Sequence, residues 1–405
     1  MAVLEPIKVK RDAAEQAIME NGKPLSPMAR MFHEPDSNIY IIVMLGWKTK
    51  LDPEVFKANL NHTLLKHPRF TSLQVVNETV EGGLKWVPTK VDLDKHVIVP
   101  KLDTINSIEN SDRFVEDYVS NLSKTAIEMS IPMWDLHLLN IRTSDAEAVA
   151  VFRIHHSLGD GTSLMSLLLA STRKVSNPEE VPTLPSTTTK RADSSISGGG
   201  FRGCLVKIWL LFILLGNTCV DVVMFLATVF GFLKDTETPL KGGRGCGSNS
   251  RRIVHRTVDL NDVKFVKTAM NTVKCMKVPF VLICTIDKGA SERKNNLPKN
   301  IRLRATFFIN IRPIPGIQEV ADMMKKGSLA RWGNEIGFVL FPFKIALRDD
   351  PLDYVRDAKA AIDRKKSSLE VYCSFYMAKY FLKFCGMKVY IYINCSQLYS
   401  INYFN

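Results

Sequence analysis

His155-His156-Ser157-Leu158-Gly159-Asp160-Gly161 is the most informative segment of this 405-residue chain. Imidazole titrates near neutrality, so a histidine can take the proton from a hydroxyl as its oxygen attacks a carbonyl carbon. The segment follows a strand-like run, Ala148–Ile154, and precedes a helical one, Thr162–Thr172. A strand-to-loop junction exposes side chains at the end of a sheet while the scaffold holds them in place. Successive strand residues point to opposite faces, so one histidine of the pair is expected to meet substrate. His156 is the candidate base, and His155 taken alone reads as structural. Asp160 is expected to cap the following helix or to pair with an arginine that braces the loop. Gly161 is expected to leave room for close backbone approach and to take up positive φ. The six other histidines lack such a context and read as ordinary polar or core residues.

The elements that must position this loop follow a mixed α/β pattern. Asn38–Trp47 is an apolar, β-branched run, and Asp52-Pro53 supplies an N-cap and a first-turn proline. The helix so started carries Phe56, Leu60 and Leu64 on one face and stops before Pro68. Arg69–Asn77 alternates as a strand does. Ser111–Ser130 spaces Phe114, Tyr118, Leu122, Ala126 and Met129 as a helix does. Asp135–Ile141 and Ala148–His155 form two further strands around the turn Arg142–Glu147. Residues 1–175 thus read as one α/β half.

Residues 176–252 hold two stretches, 176–200 and Thr236–Arg252, rich in Pro, Ser, Thr and Gly. Such composition marks linkers. Between them lies the most apolar segment, Ile208–Leu233. Residues 253–385 return to the α/β pattern, with helices at Asn261–Met270 and Pro351–Leu369. Strands are expected at Leu303–Ile311 and Gly333–Phe343, and Val278–Ile286 is apolar and β-branched. The two halves are alike in make-up without a direct repeat. Residues 386–405 change character, with a Tyr-, Asn- and Ser-rich tail that stops without a cap or closing helix.

Composition narrows the classes. Hydrophobic residues make up 46% and charged residues 23%, which excludes a disordered chain, a fibre and a polytopic membrane protein. A core of this size needs no disulfide or metal staple. The eight cysteines include no Cys-x-x-Cys, so incidental thiols in a reducing compartment are expected and no metal site is. The N-terminus lacks the apolar run of a secretory signal. A net charge of +13 favours anionic partners, among them lipid headgroups and phosphorylated ligands. The basic residues are spread along the chain with no finger, RRM signature or Arg-rich arm, so nucleic acid is not an expected partner.

The motif HHSLGDG matches the HHxxxDG motif of the wax ester synthase/diacylglycerol acyltransferase family, within the wider CoA-dependent acyltransferases. Pro24-Leu25-Ser26-Pro27, Pro132-Met133-Trp134-Asp135 and Asn310-Ile311-Arg312-Pro313 are similar to that family too. Trp332-Gly333-Asn334 with Gly337 resembles its plant branch, and the likeness covers roughly residues 20–385. The resemblance implies two chloramphenicol-acetyltransferase-like α/β halves with a tunnel between them. It also implies transfer of a long-chain acyl group from acyl-CoA to a fatty alcohol or to diacylglycerol. No bound cofactor is implied, since acyl-CoA is a co-substrate. His156 becomes the general base, and His155, Asp160 and Gly161 complete the catalytic motif. Asn310 is an oxyanion donor by motif position, or equally a structural Asn at a strand end. The family's usual length leads to the expectation that the C-terminal half is incomplete. Where the family carries an Asn-Asp pair, this chain has Pro279 and Phe280. The soluble HxxxD-type plant acyltransferases are a poorer match, because their DFGWG segment is missing.

Ile208–Leu233 contains one formal charge, Asp221. As a helix it would reach about 39 Å, enough for a tilted span. A span would put the two halves on opposite sides of a membrane, whereas the tunnel needs both on one side. Gly216-Asn217 and Asp221 interrupt the run, so a re-entrant or interfacial hairpin is expected. Lys207, Lys234, Lys241, Arg251 and Arg252 flank it and suit anionic headgroups. The expected location is the endoplasmic reticulum membrane, with the plasma membrane second. The rival function is a non-catalytic lipid-binding or membrane-anchored remnant of the same family.

Overall fold

Two neighbouring strands carry the flanks of the histidine pair, and both are buried at every position. Most of their residues are apolar because protein covers both faces of the sheet. The computed structural model describes residues 22–34, 38–77, 83–101, 108–173, 201–236, 253, 259–269, 301–311, 332–345, 350 and 352–384. Most of both linkers, Val278–Ile286, Arg312-Pro313, Lys241, Arg251, Arg252 and the tail 386–405 lie outside them.

The chain divides into two compact units. The first comprises residues 1–184, 251–253 and 315–334. Its elements are β1 (Lys23–Pro24), α1 (Pro27–Met31), β2 (Tyr40–Trp47), α2 (Pro53–His62), β3 (Ser72–Asn77) and β4 (Gly83–Pro88). They continue with α3 (Leu93–His96), β5 (Val97–Ile98), α4 (Ile108–Leu122), β6 (Trp134–Leu139), β7 (Ala148–His155) and α5 (Gly161–Ala170). A four-stranded sheet runs β2-β7-β6-β5, antiparallel except for β5 beside β6. A smaller antiparallel sheet runs β1-β4-β3.

Alternation along β6 and β7 sorts the core into two layers. Leu136, Leu138, Ala150, Phe152 and Ile154 pack with Phe70, Trp134, Leu158, Leu164 and Leu167. Leu139, Val149 and Val151 meet Val115, Val119 and Leu122 of α4. In α2 the expected cap is present, with the Asp52 carboxylate accepting from the Glu54 amide at 2.9 Å and Pro53 in the first turn.

The helix expected over Ser111–Ser130 stops at Leu122. Its last carbonyl, that of Leu122, finds other donors. Arg153 Nη1 donates to the Leu122 carbonyl at 3.1 Å and the Thr125 carbonyl at 3.0 Å. The Thr125 hydroxyl donates to Leu122 O at 3.2 Å, so the helix end is satisfied without another turn. Arg153 also makes a two-pronged pair with Asp135, its register partner on β6.

The second unit holds residues 185–250, 254–314 and 335–405. It contains α6 (Phe201–Val229), α7 (Leu260–Ala269), β8 (Ile301–Asn310), β9 (Ile336–Ile345), α8 (Leu352–Lys366) and α9 (Glu370–Phe384). β8 and β9 pair antiparallel from Ile301 opposite Ile345 to Asn310 opposite Ile336. Tyr354, Val355 and Ala358 of α8 pack on Phe341, with Leu303, Ala305 and Phe307 beside them. α9 lies so close to β9 that a Cβ on Gly337 would come within 2.2 Å of the Val371 carbonyl oxygen. Ser374 fastens the two elements, accepting from the Phe338 amide at 2.9 Å and donating to the Phe338 carbonyl at 2.8 Å.

The apolar segment is one continuous 29-residue helix, not a hairpin. Gly216 and Asn217 stay helical, because a single Gly costs a helix only about 1 kcal/mol and the neighbouring polar side chains are satisfied. Asn217 Nδ2 donates to the Ser367 carbonyl at 3.0 Å, and Thr218 Oγ1 accepts from the Leu369 amide at 2.9 Å. Asp221 is fully buried between Arg364 (2.7 Å) and Lys365 (2.9 Å). Lys365 in turn reaches Glu370 at 2.6 Å.

Candidate active site

β7 delivers His155 as its last residue, opposite Tyr40 of β2. The following amide, that of His156, donates to the Ile39 carbonyl at 3.0 Å. The chain leaves the sheet at this point, and the two imidazoles part company.

His155 is fully buried. Its Nε2 faces two acceptors, the Phe32 carbonyl at 2.9 Å and Asn38 Oδ1 at 3.2 Å, so that nitrogen carries the proton. Nδ1 lies 2.6 Å from the Ser157 hydroxyl. Both ring nitrogens are therefore committed to the scaffold. Burial pushes this imidazole down to about 3, His33 and His156 add to the effect, and the Phe32 carbonyl opposes it.

His156 is only half-buried, and its ring stacks on Phe32 with centroids 4.1 Å apart. Burial lowers its pKa, opposed in turn by its own backbone carbonyl, the Asp160 carboxylate and the Asn334 side chain. At neutral pH it is an uncharged imidazole, the form that accepts a proton.

The loop after the pair is clamped by residues remote in sequence. Arg69 Nη1 and Trp332 Nε1 both donate to the Leu158 carbonyl, at 2.9 and 2.5 Å. Asn334 Nδ2 donates to the His156 carbonyl at 3.0 Å. The Gly333 carbonyl accepts from the Asp160 amide at 3.2 Å and the Ser163 hydroxyl at 3.3 Å. Gly333 does this at a φ of +148°, which favours glycine. Trp332 also lies against His67, with centroids 4.1 Å apart.

Of the two roles open to Asp160, the cap is found: its Oδ1 accepts from the Ser163 amide at 2.8 Å and starts α5. The positive φ expected of Gly161 is not found. Gly161 is the first residue of α5, and a Cβ there would meet nothing within 4 Å. Within this loop the tightly packed glycine is Gly159, where a Cβ would stand 3.0 Å from Trp332 Nε1. Asn310 belongs to the second unit, where it ends β8 opposite Ile336.

Sequence reasoning missed Phe32, Arg69 and Gln74 as parts of this network. Gln74 Oε1 lies 3.0 Å from the Ser157 hydroxyl oxygen. No local pattern marks these residues. Trp332-Gly333-Asn334 did carry a signal as a motif, but nothing in the motif said that it would close on the histidine loop. Among the described residues there is no cluster of three or more His, Cys, Asp or Glu able to hold a metal ion.

Comparisons with known proteins agree on one family. The model of the wax ester synthase/diacylglycerol acyltransferase catalytic domain matches residues 46–273, and that of the WS/DGAT C-terminal domain matches residues 332–402. The C-terminal domain is thus present, and its match runs into the stretch that composition sets apart. Wax ester synthase/diacylglycerol acyltransferase 6 of Arabidopsis thaliana is 44% identical over 95% of this chain and 80% of its own length. Wax ester synthase/diacylglycerol acyltransferase 4 of the same plant is 46% identical over 91% of this chain and 74% of its own. Among solved structures, a wax ester synthase/diacylglycerol acyltransferase from Marinobacter aquaeolei VT8 superposes with a TM-score of 0.52 at 16% identity. That match covers 91% of this chain and 79% of the other, and bears on the fold alone.

Proposed function

This chain belongs to the wax ester synthase/diacylglycerol acyltransferase family, and from that premise we propose that His156 is the general base of its acyl transfer. The chain is an acyl-CoA-dependent O-acyltransferase with the CoA-dependent acyltransferase fold. Its substrates are acyl-CoA and an alcohol or acylglycerol. The observation that carries the base assignment is the division of labour within the pair: His155 has both nitrogens engaged by the scaffold, whereas His156 is neutral and partly open.

His156 Nε2 takes the proton of the acceptor hydroxyl as the hydroxyl oxygen attacks the thioester carbonyl. The C–O bond forms, and the tetrahedral intermediate collapses with cleavage of the C–S bond. The imidazolium returns its proton to the departing CoA thiolate. No covalent enzyme intermediate is needed. Asn310 is the proposed oxyanion donor, and Asn310→Ala should cost about 10²–10³ in kcat if it is.

Fatty alcohol is the first proposed acceptor and diacylglycerol the second. The test supplies radiolabelled palmitoyl-CoA with hexadecanol or diacylglycerol to wild type and His156→Ala. Wax ester or triacylglycerol from the wild type, falling about 10²–10⁴-fold in the variant, supports the assignment and selects the acceptor. Undiminished turnover in His156→Ala overturns it. A wild type that binds lipid without forming product would support the inactive-remnant reading instead.

Membrane attachment belongs to the same proposal. α6 is long and apolar enough to cross a bilayer, and Trp209, Leu211, Phe212 and Val223 stand exposed along it. An uncovered apolar surface of this kind marks an interaction site. A span would carry the Asp221–Arg364–Lys365 cluster into hydrocarbon, where charges are costly. α6 therefore lies within one leaflet, with Arg202, Lys207 and Lys234 at its ends suited to anionic headgroups. The endoplasmic reticulum membrane is the proposed location and the plasma membrane the second. Flotation with phosphatidylserine vesicles should be lost in a Trp209→Ser/Phe212→Ser variant. A glycosylation reporter placing the ends of α6 on opposite sides would sink the in-plane arrangement.

A further inference from the structure

Two buried polar atoms at the histidine loop have no hydrogen-bond partner: Nδ1 of His156 and Oδ1 of Asn334. Buried polar atoms are nearly always paired, so each needs a reason. They belong to residues already joined, since Asn334 Nδ2 donates to the His156 main-chain carbonyl at 3.0 Å. That bond fixes which end of the amide is which. With Nδ2 on the carbonyl, Oδ1 is the end left to act on the ring, and the Asn334 side chain acts on the imidazole in the sense expected of an acceptor. Asn334 is itself buried, between Trp332-Gly333 and the start of β9.

We infer that Asn334 is a positioning residue for acyl transfer, gripping His156 at both its carbonyl and its ring so that Nδ1 holds the proton and Nε2 faces substrate. The inference rests on the reading of His156 as the base. A neutral imidazole has two tautomers, and which nitrogen is free is set by the bond the other one makes. Oδ1 of Asn334 accepts from Nδ1–H, which leaves the Nε2 lone pair to take the hydroxyl proton. The resting structure pairs neither atom with a partner, and catalytic hydrogen bonds often tighten only in the substrate complex. Phe32, stacked on the ring, keeps the imidazole in the plane this contact requires. The other ionisable groups around the ring are Asp160, in the same loop, and the neutral His155, with His33 against His155.

The test is a pair of variants, Asn334→Ala and Asn334→Asp, assayed for kcat, KM and the acid limb of the kcat/KM profile. Asn334→Ala should lower kcat by about 10²-fold with KM for palmitoyl-CoA unchanged. Its acid limb should move to lower pH, because a group that favours the imidazolium is gone. Asn334→Asp is nearly isosteric and places a carboxylate at Nδ1, so its limb should move to higher pH. Loss of scaffold integrity alone would shift neither limb in this opposed way. The ring ¹⁵N resonances of His156, assigned by their absence in His156→Ala, should show an unprotonated Nε2 in wild type and a tautomer mixture in Asn334→Ala. If Asn334→Ala fails to fold, Asn334→Asp and its NMR spectrum carry the test. Limbs that coincide with wild type, or an unchanged tautomer, overturn the inference. An active His156→Ala would instead overturn the base assignment beneath it.

Discussion

The histidine loop and helix α6 invert the usual rule of burial in opposite directions. Around the loop, His67, Gln74, Asp135, Arg153, His155, Ser157 and Asp160 are all buried. Along α6 a row of large apolar side chains faces outward. Buried polar groups are for the most part satisfied by partners, and they are costly to disturb. Exposed apolar groups add little to folding and await a partner. The first region is therefore chemistry held rigid by its surroundings, and the second is a surface awaiting contact. Substitutions should separate the two cleanly.

The largest effect is expected where a buried charge loses its mate. Asp135→Ala strands Arg153 in the sheet and should destabilise the first unit by about 3–5 kcal/mol, read from urea unfolding. A loss below about 1 kcal/mol, the range of exposed pairs, would mean that water reaches this pair after all.

Acid tests the same buried region without a substitution. Burial holds both His67 and His155 down to about 3, with Arg69 adding to the effect at His67. In the unfolded chain each titrates near 6.5, so between pH 6.5 and 3 the unfolded state binds more protons. Stability is full above pH 6.5 and declines as pH falls, by roughly 1.4 kcal/mol per pH unit for each histidine. Replacing His67 with Phe should remove its share of that slope, about 1.4 kcal/mol per pH unit. A slope unaffected by the replacement would show that His67 is already open to solvent.

A smaller loss follows from Gly159→Ala, because the added methyl meets the Trp332 indole. Overpacking of this kind costs about 1–3 kcal/mol. Since Trp332 also holds Leu158, activity should fall by more than stability does. Equal losses would make Trp332 a packing residue and nothing more.

The smallest change in stability belongs to α6. Leu211→Ser/Phe212→Ser should alter unfolding by no more than about 0.5 kcal/mol per site while weakening vesicle binding. A large loss of stability would show that this face is part of the core, and the contrast between the two regions would collapse.

Much of this was legible in local pattern. The strand that ends in His155, the cap at Asp52-Pro53, the cap at Asp160 and the helix over α8 all follow from periodicity and from residues that satisfy the backbone within a few positions. Where expectation and structure part, a distant side chain intervenes. α4 ends at Leu122, where Arg153 takes the Leu122 carbonyl and that of Thr125 beyond it. α6 runs straight through Gly216 and Asp221 because α8 and the turn after it supply partners for Asn217, Thr218 and Asp221. Gly161 looked like the strained glycine, yet Gly159 is the one confined, by a tryptophan more than 170 residues later.

The sequence by itself determined the histidine pair, the order of strands and helices flanking it and the apolar helix, since these depend on residue type and short-range spacing; the reaction class came with the family resemblance of its motifs. It also carried the Trp332-Gly333-Asn334 motif without a purpose attached. Only the tertiary structure decided which groups commit His155 to the scaffold, which glycine is tightly packed and what clamps the loop. It alone decided that the charge within the apolar helix is paired. These outcomes depend on which atoms meet across long separations in the chain. Hydrogen bonds and ion pairs act over a few ångströms in space, and no spacing along a sequence records that distance.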